Sequence, residues 1–373
     1  MADGRRKMKV AVLGFGTVGF GVYEMLKSAE GLEPGPVLVR EGKDDEPFKV
    51  TSIDDIVGDA SVGAVVEVLG GVEPAFTYVS KALAAGKHVV TSNKALVSEK
   101  GPELQAIAEQ SGAGFLFSAA CGGAVPYLHN IALAVKSDKI EKMSGILNGT
   151  TNYMLDAMQR RGMTYEEALS DAQKLGYAEA DPTADVTGLD ALRKIMLSCA
   201  VAYDKLPSEG LLNEGIDSFT AADDEYLKSR GLTCRLIVAG GENPDGSVYA
   251  FVEPVLFRSD APECSVLNNF NMASYEAKNA GKIIFMGQGA GRYPTASAVV
   301  RDLSDILNGQ RHMLQPSCVR VKADNSQLCR RYLMRSGDGE YVETVPLPVE
   351  DMHAAADKIR KEGGKVFFAA IDG

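Results

Sequence analysis

The sequence predicts an α/β protein in which a doubly wound parallel sheet is followed by an inserted second α/β domain. Two observations support this fold class. Short valine-rich apolar segments alternate with amphipathic segments through residues 9–117, which is the pattern of a parallel sheet covered by helices on both faces. A glycine-rich turn at 287–291, followed by an alanine-rich helical segment, predicts that the chain returns to the first domain.

A glycine motif follows the first predicted strand, Lys9–Leu13, and precedes a helical segment. The motif, Gly14-Phe-Gly-Thr-Val-Gly19, has the G-x-G-x-x-G pattern and the strand–turn–helix context of Rossmann-type dinucleotide-binding domains. Gly14 permits the tight turn, Gly16 lets a pyrophosphate approach the backbone, and Gly19 lets the helix pack against the strand. We therefore expect a dinucleotide site at this turn.

The end of the second predicted strand, Val37–Val39, bears on which dinucleotide is bound. An acidic residue there binds the ribose 2′-hydroxyl of NAD, whereas an arginine accommodates the 2′-phosphate of NADP. Arg40 comes first, then Glu41, and Lys43 and Lys49 are near in the sequence. Arg40 favours NADP, but a solvated arginine would explain the same pattern, so NAD and NADP both stay open.

Further strand and helix segments complete the predicted first domain. Ligands of such sheets bind beyond the carboxyl ends of the strands. Gly14, Gly70, Ser92 and Lys94 all follow strand ends, so we expect Lys94 to project into the cofactor site rather than lie on an exposed loop. The remaining predicted strands are Val62–Leu69, His88–Thr91 and Gly114–Phe117, and the predicted helices are Val22–Lys27, Tyr78–Ala85 and Glu103–Gln110.

A polar glycine turn over Gly145–Tyr153 opens into a predicted helix, Tyr153–Arg160. The hydroxyls of Thr150 and Thr151 fit an N-cap, which satisfies free N–H groups at a helix start. The same turn could present N–H groups to a substrate carboxylate. The residues alone favour the cap.

An acidic loop precedes the most informative helix. Between Gly176 and Asp190 the loop carries four carboxylates and is broken by glycine and proline. Asp190 and Lys194 lie one helical turn apart, a spacing that is usual for a solvated ion pair. Because the helix after Lys194 is apolar nearly all round, as far as Tyr203, it is predicted to be buried. A buried lysine has a lowered pKa and is suited to proton transfer, so we favour a functional pair.

Composition narrows the possible partners and compartments. The formal net charge of −11 disfavours nucleic acids and anionic membranes. Six cysteines without a C-x-x-C pair argue against a structural zinc or a disulfide framework. The basic N-terminal segment before Val10 mimics a signal peptide but lacks a cleavage pattern, and no segment approaches the roughly 18–20 apolar residues of a membrane span. We expect a cytoplasmic protein.

Six motifs, in order, resemble the homoserine dehydrogenase family over about residues 9–305. The resemblance implies an NAD- or NADP-dependent oxidoreductase that interconverts L-homoserine and L-aspartate 4-semialdehyde in threonine, methionine and isoleucine biosynthesis. It also implies that the inserted domain is catalytic and mediates a homodimer. The motifs are Gly14–Gly19, Thr91–Leu96, Gly145–Tyr153, Gly176–Asp185, Gly188–Lys194 and Gly289–Val299.

The resemblance also implies roles for individual residues. Lys194 matches the proton-transfer residue at the substrate oxygen, and Lys94 matches a second active-site lysine near the nicotinamide and substrate. The carboxylates that hold the amino group or orient Lys194 match Glu179, Asp185 and Asp190. The residues around the substrate match Gly149, Thr150 and Tyr177, and the further cofactor contacts match Phe15, Thr17, Val18, Ser92, Gly176 and Gly289.

One segment departs from the family pattern. The stretch before Pro126 matches a turn that binds sodium through backbone carbonyls, here those of Cys121, Gly123 and Val125. The family usually has a glutamate where this chain has Ser118. Since hard cations favour charged oxygen ligands, the substitution weakens any cation site.

Two alternative functions keep the same first domain. Cys121 on its glycine-rich turn could be the thiol nucleophile of a phosphorylating semialdehyde dehydrogenase, although no histidine partner is evident near it in the sequence. The chain could also be a dinucleotide-binding sensor without turnover, because a fold does not prove an activity. Phosphate dependence would mark the first alternative, and tight binding without turnover the second.

The resemblance fades after about residue 312. The tail is predicted as strand, strand, helix and strand, over Gln327–Arg335, Glu340–Pro346, Met352–Lys361 and Lys365–Ala370. It is shorter than a regulatory ACT domain, so no complete effector site is expected. It could cover a sheet edge or a dimer contact. The predicted domains are 1–127 for the dinucleotide, 128–286 for catalysis and dimerisation, 287–312 for the return, and 313–373 for the extension.

Overall fold

The computed structural model describes residues 7–43, 46–337 and 339–372, which fall into two compact units. The first unit contains the residues up to Leu133 and Gln288–Val319. The second contains Ala134–Gly287 and the residues from Arg320 onward. The chain thus divides after 133, 287 and 319, where the sequence analysis places divisions after 127, 286 and 312. No helix among the described residues is long and apolar enough to cross a membrane.

A six-stranded parallel sheet forms the centre of the first unit, in the order β3-β2-β1-β4-β5-β6, and the predicted Rossmann-type fold is confirmed. Most residues of its central strands are buried, as expected where helices cover both faces. The strands are β1 (Met8–Leu13), β2 (Leu32–Leu38), β3 (Lys49–Val50), β4 (Val62–Glu67), β5 (His88–Thr91) and β6 (Phe115–Leu116). The helices are α1 (Thr17–Leu26), α2 (Ile53–Gly58), α3 (Ala75–Ala84), α4 (Lys94–Ser111) and α5 (Tyr127–Ala134).

Strand β2 is longer than predicted. It begins at Leu32 rather than Val37 and contains Pro34 and Pro36. Proline cannot donate to the sheet and normally argues against a strand. Here the register with β1 shifts beside Val10, and this irregularity accommodates the prolines.

Helix α4 begins at Lys94 rather than at the predicted Glu103. The helix contains Pro102 and continues through it to Ser111. Asn93 caps the helix, because its side-chain oxygen accepts a hydrogen bond from Leu96 N at 3.1 Å. Lys94 is therefore the first residue of a helix that follows the carboxyl end of β5.

The second unit begins with a run of helices and strands around a mixed sheet. Helix α6 starts at Gly149, before the predicted Tyr153. The strands are β7 (Ile140–Ile146), β8 (Lys205–Glu209), β9 (Leu212–Asn213), β10 (Leu232–Glu242), β11 (Val248–Arg258), β12 (Phe270–Ala277) and β13 (Gly281–Gln288). The helices are α6 (Gly149–Arg161), α7 (Tyr165–Lys174), α8 (Thr183–Val186), α9 (Leu189–Tyr203) and α10 (Ala221–Ser229).

Helix α9 packs directly on this sheet. At Gly240 of β10, a Cβ atom would lie 2.8 Å from Ile195 Cγ1 and 2.9 Å from Cys199 Sγ. The absence of a side chain at Gly240 therefore permits the close approach of helix and strand. Eleven residues of the helix are buried, which confirms the predicted buried helix.

Helix α11 (Arg292–Leu307) follows β13 and belongs to the first unit. It packs against α1 at Gly21, where a Cβ atom would lie 2.9 Å from the Arg292 carbonyl oxygen and 3.3 Å from Ala296 Cβ. The glycine turn and the segment after 288 thus belong to one packed body.

The C-terminal tail extends the sheet of the second unit. The predicted strand Gln327–Arg335 is two strands, and β19 lies between β11 and β16 rather than at an edge. The sheet order is β13-β12-β7-β10-β11-β19-β16-β17, with β9 paired to β11. The tail elements are β14 (Val319–Lys322), β15 (Cys329–Arg330), β16 (Tyr332–Ser336), β17 (Tyr341–Glu343), β18 (Leu347–Pro348), α12 (Val349–Lys361) and β19 (Val366–Ile371).

Candidate active site

The glycine turn of the first unit has the geometry of an anion site. Gly14 has a φ of 101°, a conformation that favours glycine. A Cβ atom on Gly19 would lie 2.1 Å from the Gly14 carbonyl oxygen, so only glycine fits there. Gly16 precedes α1 without a side-chain cap, and Thr17 and Val18 are the first helical residues. Uncapped N–H groups at a helix start bind phosphate.

A groove of about 810 Å³ lies beside this turn. At the end of β2 its lining is mainly basic and polar, with Arg40, Lys43, Lys49 and Thr51, although Glu41 also lines it. The groove therefore offers positive charge at the position where the sequence analysis placed a ribose phosphate. Phe15 lines the groove and belongs to a ring cluster with Phe20, Tyr23 and Phe48.

Glu67 organises the next strand ends of the first unit. This fully buried carboxylate accepts hydrogen bonds from Leu69 N at 2.7 Å and from the side chains of Thr91 and Asn93. Burial raises the pKa of Glu67. Ser92 and Lys94 flank the Asn93 cap, so Glu67 helps to set the backbone on which both predicted cofactor contacts lie.

Ser118 contacts a buried carboxylate of the first unit, that of Asp302. The Ser118 N–H donates to Asp302 Oδ2 at 2.8 Å, and its hydroxyl donates to the other carboxylate oxygen. Asp302 lies on α11, and complete burial raises its pKa to about 6. Cys121, the candidate nucleophile of the alternative enzyme, is fully buried.

In the second unit, Asp190 and Lys194 form a buried ion pair on the first turns of α9. Lys194 Nζ lies 2.7 Å from Asp190 Oδ2, and the two side chains are 11% and 12% exposed. Nζ also donates to the carbonyl oxygen of Leu147, directly after β7. The expectation that this pair is buried rather than solvated is confirmed.

Asn148 connects this pair to the acidic loop. Its Nδ2 donates to Asp185 Oδ1 at 2.7 Å and to Asp190 Oδ2 at 3.0 Å. We call Asn148, Asp185, Asp190 and Lys194 the acid–lysine cluster. The cluster brings a lysine, two carboxylates and an amide together at the start of two helices, α6 and α9.

The other predicted substrate residues surround the start of α6. Thr150 donates its hydroxyl hydrogen to the Tyr177 carbonyl oxygen at 2.6 Å, so it ties α6 to the acidic loop. Gly149 is the first residue of α6, and Gly176 has a φ of 76° at the start of the loop. Glu179 is exposed on the loop. In the first unit, Gly289 lies on the turn before α11, close to Gly123.

Two residues of these sites were missed from the sequence, and one interpretation was wrong. The N-cap of α6 is Asn148, whose side chain accepts from Thr151 N, rather than either threonine. Asparagine is among the strongest N-cap residues, so its place one residue before the glycine was a usable signal. Glu67 was missed because it lies within the otherwise apolar predicted strand Val62–Leu69.

Comparison with protein families covers most of the chain. Residues 14–118 match the model described as "Homoserine dehydrogenase, NAD binding domain". Residues 126–304 match the model described as "Homoserine dehydrogenase". The first match contains the glycine turn and the groove residues, and the second contains the acid–lysine cluster.

Individual relatives agree with the family models. The homoserine dehydrogenase of Synechocystis sp. is 38% identical over 319 residues, covering 80% of this chain and 73% of the relative. The solved homoserine dehydrogenase of Thiobacillus denitrificans has a TM-score of 0.87 and 28% identity, covering 98% of each chain. A hyperthermophilic archaeal homoserine dehydrogenase solved in complex with NADPH has a TM-score of 0.70 and 26% identity, covering 82% of this chain and 99% of that one.

These comparisons do not favour a thiol-dependent semialdehyde dehydrogenase or a sensor without turnover. They agree with an oxidoreductase that acts on a CH–OH group and binds a nicotinamide dinucleotide. The chain therefore belongs to the homoserine dehydrogenase family, whose reaction interconverts L-homoserine and L-aspartate 4-semialdehyde.

Proposed function

We propose that Lys194 is the proton-transfer residue of this homoserine dehydrogenase. In the reductive direction, the Lys194 ammonium group gives a proton to the aldehyde oxygen of L-aspartate 4-semialdehyde. The dinucleotide, when bound, would supply the hydride to the carbonyl carbon and, in its oxidised form, would accept the hydride in the reverse reaction. In the oxidative direction, neutral Lys194 takes the proton from the homoserine hydroxyl. The observation that carries this proposal is the buried Asp190–Lys194 pair.

The carboxylates around Lys194 have a separate task in the same proposal. Asp190 orients the Lys194 side chain through their 2.7 Å contact. Asp185 and Glu179 bind the substrate ammonium group, which needs negative oxygen acceptors. We assign Gly149, Thr150 and Tyr177 to the surroundings of the substrate, and the hydrogen bond from Thr150 to the Tyr177 carbonyl oxygen at the start of α6 supports this assignment. Fixing both the ammonium group and the lysine lowers the entropic part of the barrier.

For the cofactor we propose NADP, with NAD as the weaker alternative. Arg40 is the main determinant, since it lines the groove at the end of β2 with Lys43 and Lys49. The predicted contacts Gly14–Gly19, Ser92, Lys94, Gly176 and Gly289 complete the binding site in this proposal, with Lys94 assisting near the nicotinamide. The archaeal relative solved with NADPH supports a phosphorylated dinucleotide. Arg40→Ala should raise KM for NADPH far more than KM for NADH; equal changes would remove the preference.

A sodium ion fits this chain poorly. The carbonyls of Cys121, Gly123 and Val125 would have to bind it without a carboxylate at position 118. The Ser118 hydroxyl, which stands there instead, donates to Asp302 and does not replace an anionic ligand. We therefore assign no step to a cation, and we expect potassium and sodium buffers to give the same kcat.

For organisation we propose a cytoplasmic homodimer with the dinucleotide bound by the first unit and the chemistry carried by the second. The edge strand β13 exposes Ile284 at 41% and Met286 at 59%, and apolar side chains exposed in this way mark contact surfaces. The tail, which is built into the sheet, has no complete effector domain in this proposal. Light scattering of Met286→Glu against wild type tests the interface.

The central experiment measures semialdehyde-dependent NADPH oxidation by Lys194→Ala. We expect kcat to fall by about 100-fold to 10,000-fold, as for loss of a general acid, without loss of the folded state. Lys205→Ala is the matched control, because Lys205 pairs with Glu242 at 2.9 Å in the same unit, outside the cluster. Unchanged turnover by Lys194→Ala would exclude the assignment.

A further inference from the structure

The side chain of Asn148 uses both ends of its amide. Its Oδ1 accepts from Thr151 N at 2.8 Å and caps α6. Its Nδ2 donates one hydrogen to Asp185 and the other to Asp190. The residue is 4% exposed, so water does not compete for these bonds.

The partners fix which way the amide points. A backbone N–H can only donate, so the Thr151 side must meet the oxygen Oδ1. Ionised carboxylates can only accept, so Asp185 and Asp190 must meet the nitrogen Nδ2. A flipped amide would lose all of these hydrogen bonds at once, and the assignment of nitrogen and oxygen therefore follows from the network.

The Asn148 amide also offsets the electrostatic repulsion between the Asp185 and Asp190 carboxylates. Two carboxylates on one small site repel each other, and one is driven to take up a proton unless donors stabilise both charges. Asn148 gives each carboxylate a hydrogen bond and adds no charge of its own. Lys194 contacts Asp190 at 2.7 Å, so the amide and the lysine both meet the carboxylate that lies nearest to the proposed proton-transfer group.

We propose that Asn148 is a positioning residue of the reaction, which holds Asp185 and Asp190 in fixed relative positions and through Asp190 orients Lys194. This inference rests on the roles given above to Lys194 and Asp185. It adds a residue whose effect divides between two kinetic constants: loss of the Asp190 contact lowers kcat, and loss of the Asp185 contact raises KM for homoserine.

A purely structural role for Asn148 makes a different prediction. The helix cap uses only Oδ1, and serine and aspartate cap helices about as well as asparagine. Asn148→Ser and Asn148→Asp therefore keep an acceptor for Thr151 N and remove the Nδ2 group that donates to both carboxylates; aspartate has no donor at all when ionised, and serine has one hydroxyl hydrogen on a shorter side chain. Aspartate also introduces a third negative charge beside Asp185 and Asp190.

The experiment compares both variants with wild type in homoserine oxidation with NADP, alongside thermal melting. We expect kcat of Asn148→Ser to fall roughly 10-fold to 100-fold, the effect of a lost hydrogen bond to a charged group. KM for homoserine should rise, KM for NADP should not change, and the melting temperature should stay near that of wild type. Asn148→Asp should lose at least as much kcat, because it adds repulsion.

Asn152→Ser is the matched control. Asn152 is a buried amide one turn further along α6, and it donates to the carbonyl oxygens of Val266, Asn268 and Phe270. Its loss should lower the melting temperature and leave both kinetic constants of the folded enzyme unchanged.

Two outcomes would overturn the inference. Wild-type kinetics in both the serine and the aspartate variant would show that the donors do not matter. A lowered melting temperature with unchanged kcat and KM of the folded enzyme, the pattern expected for Asn152→Ser, would show that Asn148 acts only on stability. Lys194→Ala in the same assay separates the two proposals: if it stays active, the proposed function fails, and if it is inactive while both Asn148 variants behave as wild type, only this inference fails.

Discussion

The second unit contains two aspartate–lysine pairs with the same sequence spacing and nearly the same contact distance. Asp190 and Lys194 on α9 are 2.7 Å apart, and Asp224 and Lys228 on α10 are 2.6 Å apart. Lys194 is 11% exposed, whereas Lys228 is 42% exposed. The spacing of the residues therefore does not decide what such a pair does.

The surroundings of the two lysines account for the difference. Beyond Lys194, α9 continues as an apolar helix packed on the sheet, and the ammonium group meets a carbonyl oxygen of the β7–α6 turn. Beyond Lys228, α10 ends within one residue, at Ser229. Lys194 is thus held by the protein, while Lys228 keeps contact with solvent, where an ion pair contributes little.

The largest expected difference is in turnover. Asp190→Asn should lower kcat by about 100-fold or more, because Lys194 loses the charged acceptor that orients it for proton transfer. Asp224→Asn, the matched change on α10, should leave kcat within about twofold. Steady-state kinetics on both variants, with melting curves, check this. Similar kcat values in the two variants would mean that burial of the α9 pair has no catalytic consequence.

A second buried charged group in the same unit has a structural role, so burial of a charged side chain does not by itself indicate a catalytic residue. Glu253 on β11 is fully buried and accepts from Arg330 at 2.8 Å and Tyr332 at 3.3 Å, with His353 Nε2 at 3.2 Å. We call these four residues the Glu253 cluster. All three partners of Glu253 come from the tail, so the cluster fastens residues after 320 to the sheet.

Glu253→Ala should therefore affect stability rather than chemistry. Removing one partner of a buried pair leaves Arg330 without its counter-charge, which typically costs about 3–5 kcal/mol. Denaturant unfolding measures the loss, and hydrogen exchange in β16 and β19 locates it. Glu276→Ala is the matched control, because Glu276 pairs with Lys142 on the exposed face of β12, and about 1 kcal/mol or less is expected there. Equal losses would contradict a fastening role.

The two clusters also differ in how far the sequence could predict them. Asp190 and Lys194 are four residues apart, so helical geometry alone places them on one face. The partners of Glu253 are 77, 79 and 100 residues away along the chain. No local pattern encodes contacts of that range, and the sequence analysis could only describe the tail as strand, strand, helix and strand.

The sequence separation between contacting residues also explains which other predictions were correct and which were not. The glycine turn after β1 was predictable because strand, turn and helix are contiguous. Asn148 was missed, since its carboxylate partners lie 37 and 42 residues further along the chain. The start of β2 was missed because prolines usually break strands, and only pairing with β1 shows that they are tolerated there.

The pH dependence of stability tests whether Asp223 is a second contact, beside the Glu253 cluster, that holds the tail on the rest of the unit. Asp223 on α10 accepts from Arg335 and Tyr341 of the tail. Burial raises the pKa of Asp223, but the hydrogen bonds from Arg335, Thr220 and Tyr341 outweigh it and leave the pKa below its usual value. A lowered pKa in the folded state adds stability above about pH 4, which is lost as the pH falls through the folded-state pKa.

Asp223→Asn should accordingly cost on the order of 1–3 kcal/mol at pH 7, and the difference from wild type should shrink toward pH 3. Free energies of unfolding measured at both pH values check the sign. A difference that stayed constant between them would show that the charge of Asp223 does not hold the tail.

The smallest effect on stability is expected for Lys228, which follows an aspartate by four residues as Lys194 does. Lys228→Ala should lower the free energy of unfolding by about 0.3–1 kcal/mol, the range for a pair one helical turn apart whose lysine remains in contact with solvent. Raising the salt concentration to about 1 M should remove most of that difference, since the screening length then falls to about 3 Å. Denaturant titrations at low and high salt measure both values. A loss above about 2 kcal/mol that persists in salt would place Lys228 among the buried groups, and exposure would no longer explain why only the α9 pair is suited to proton transfer.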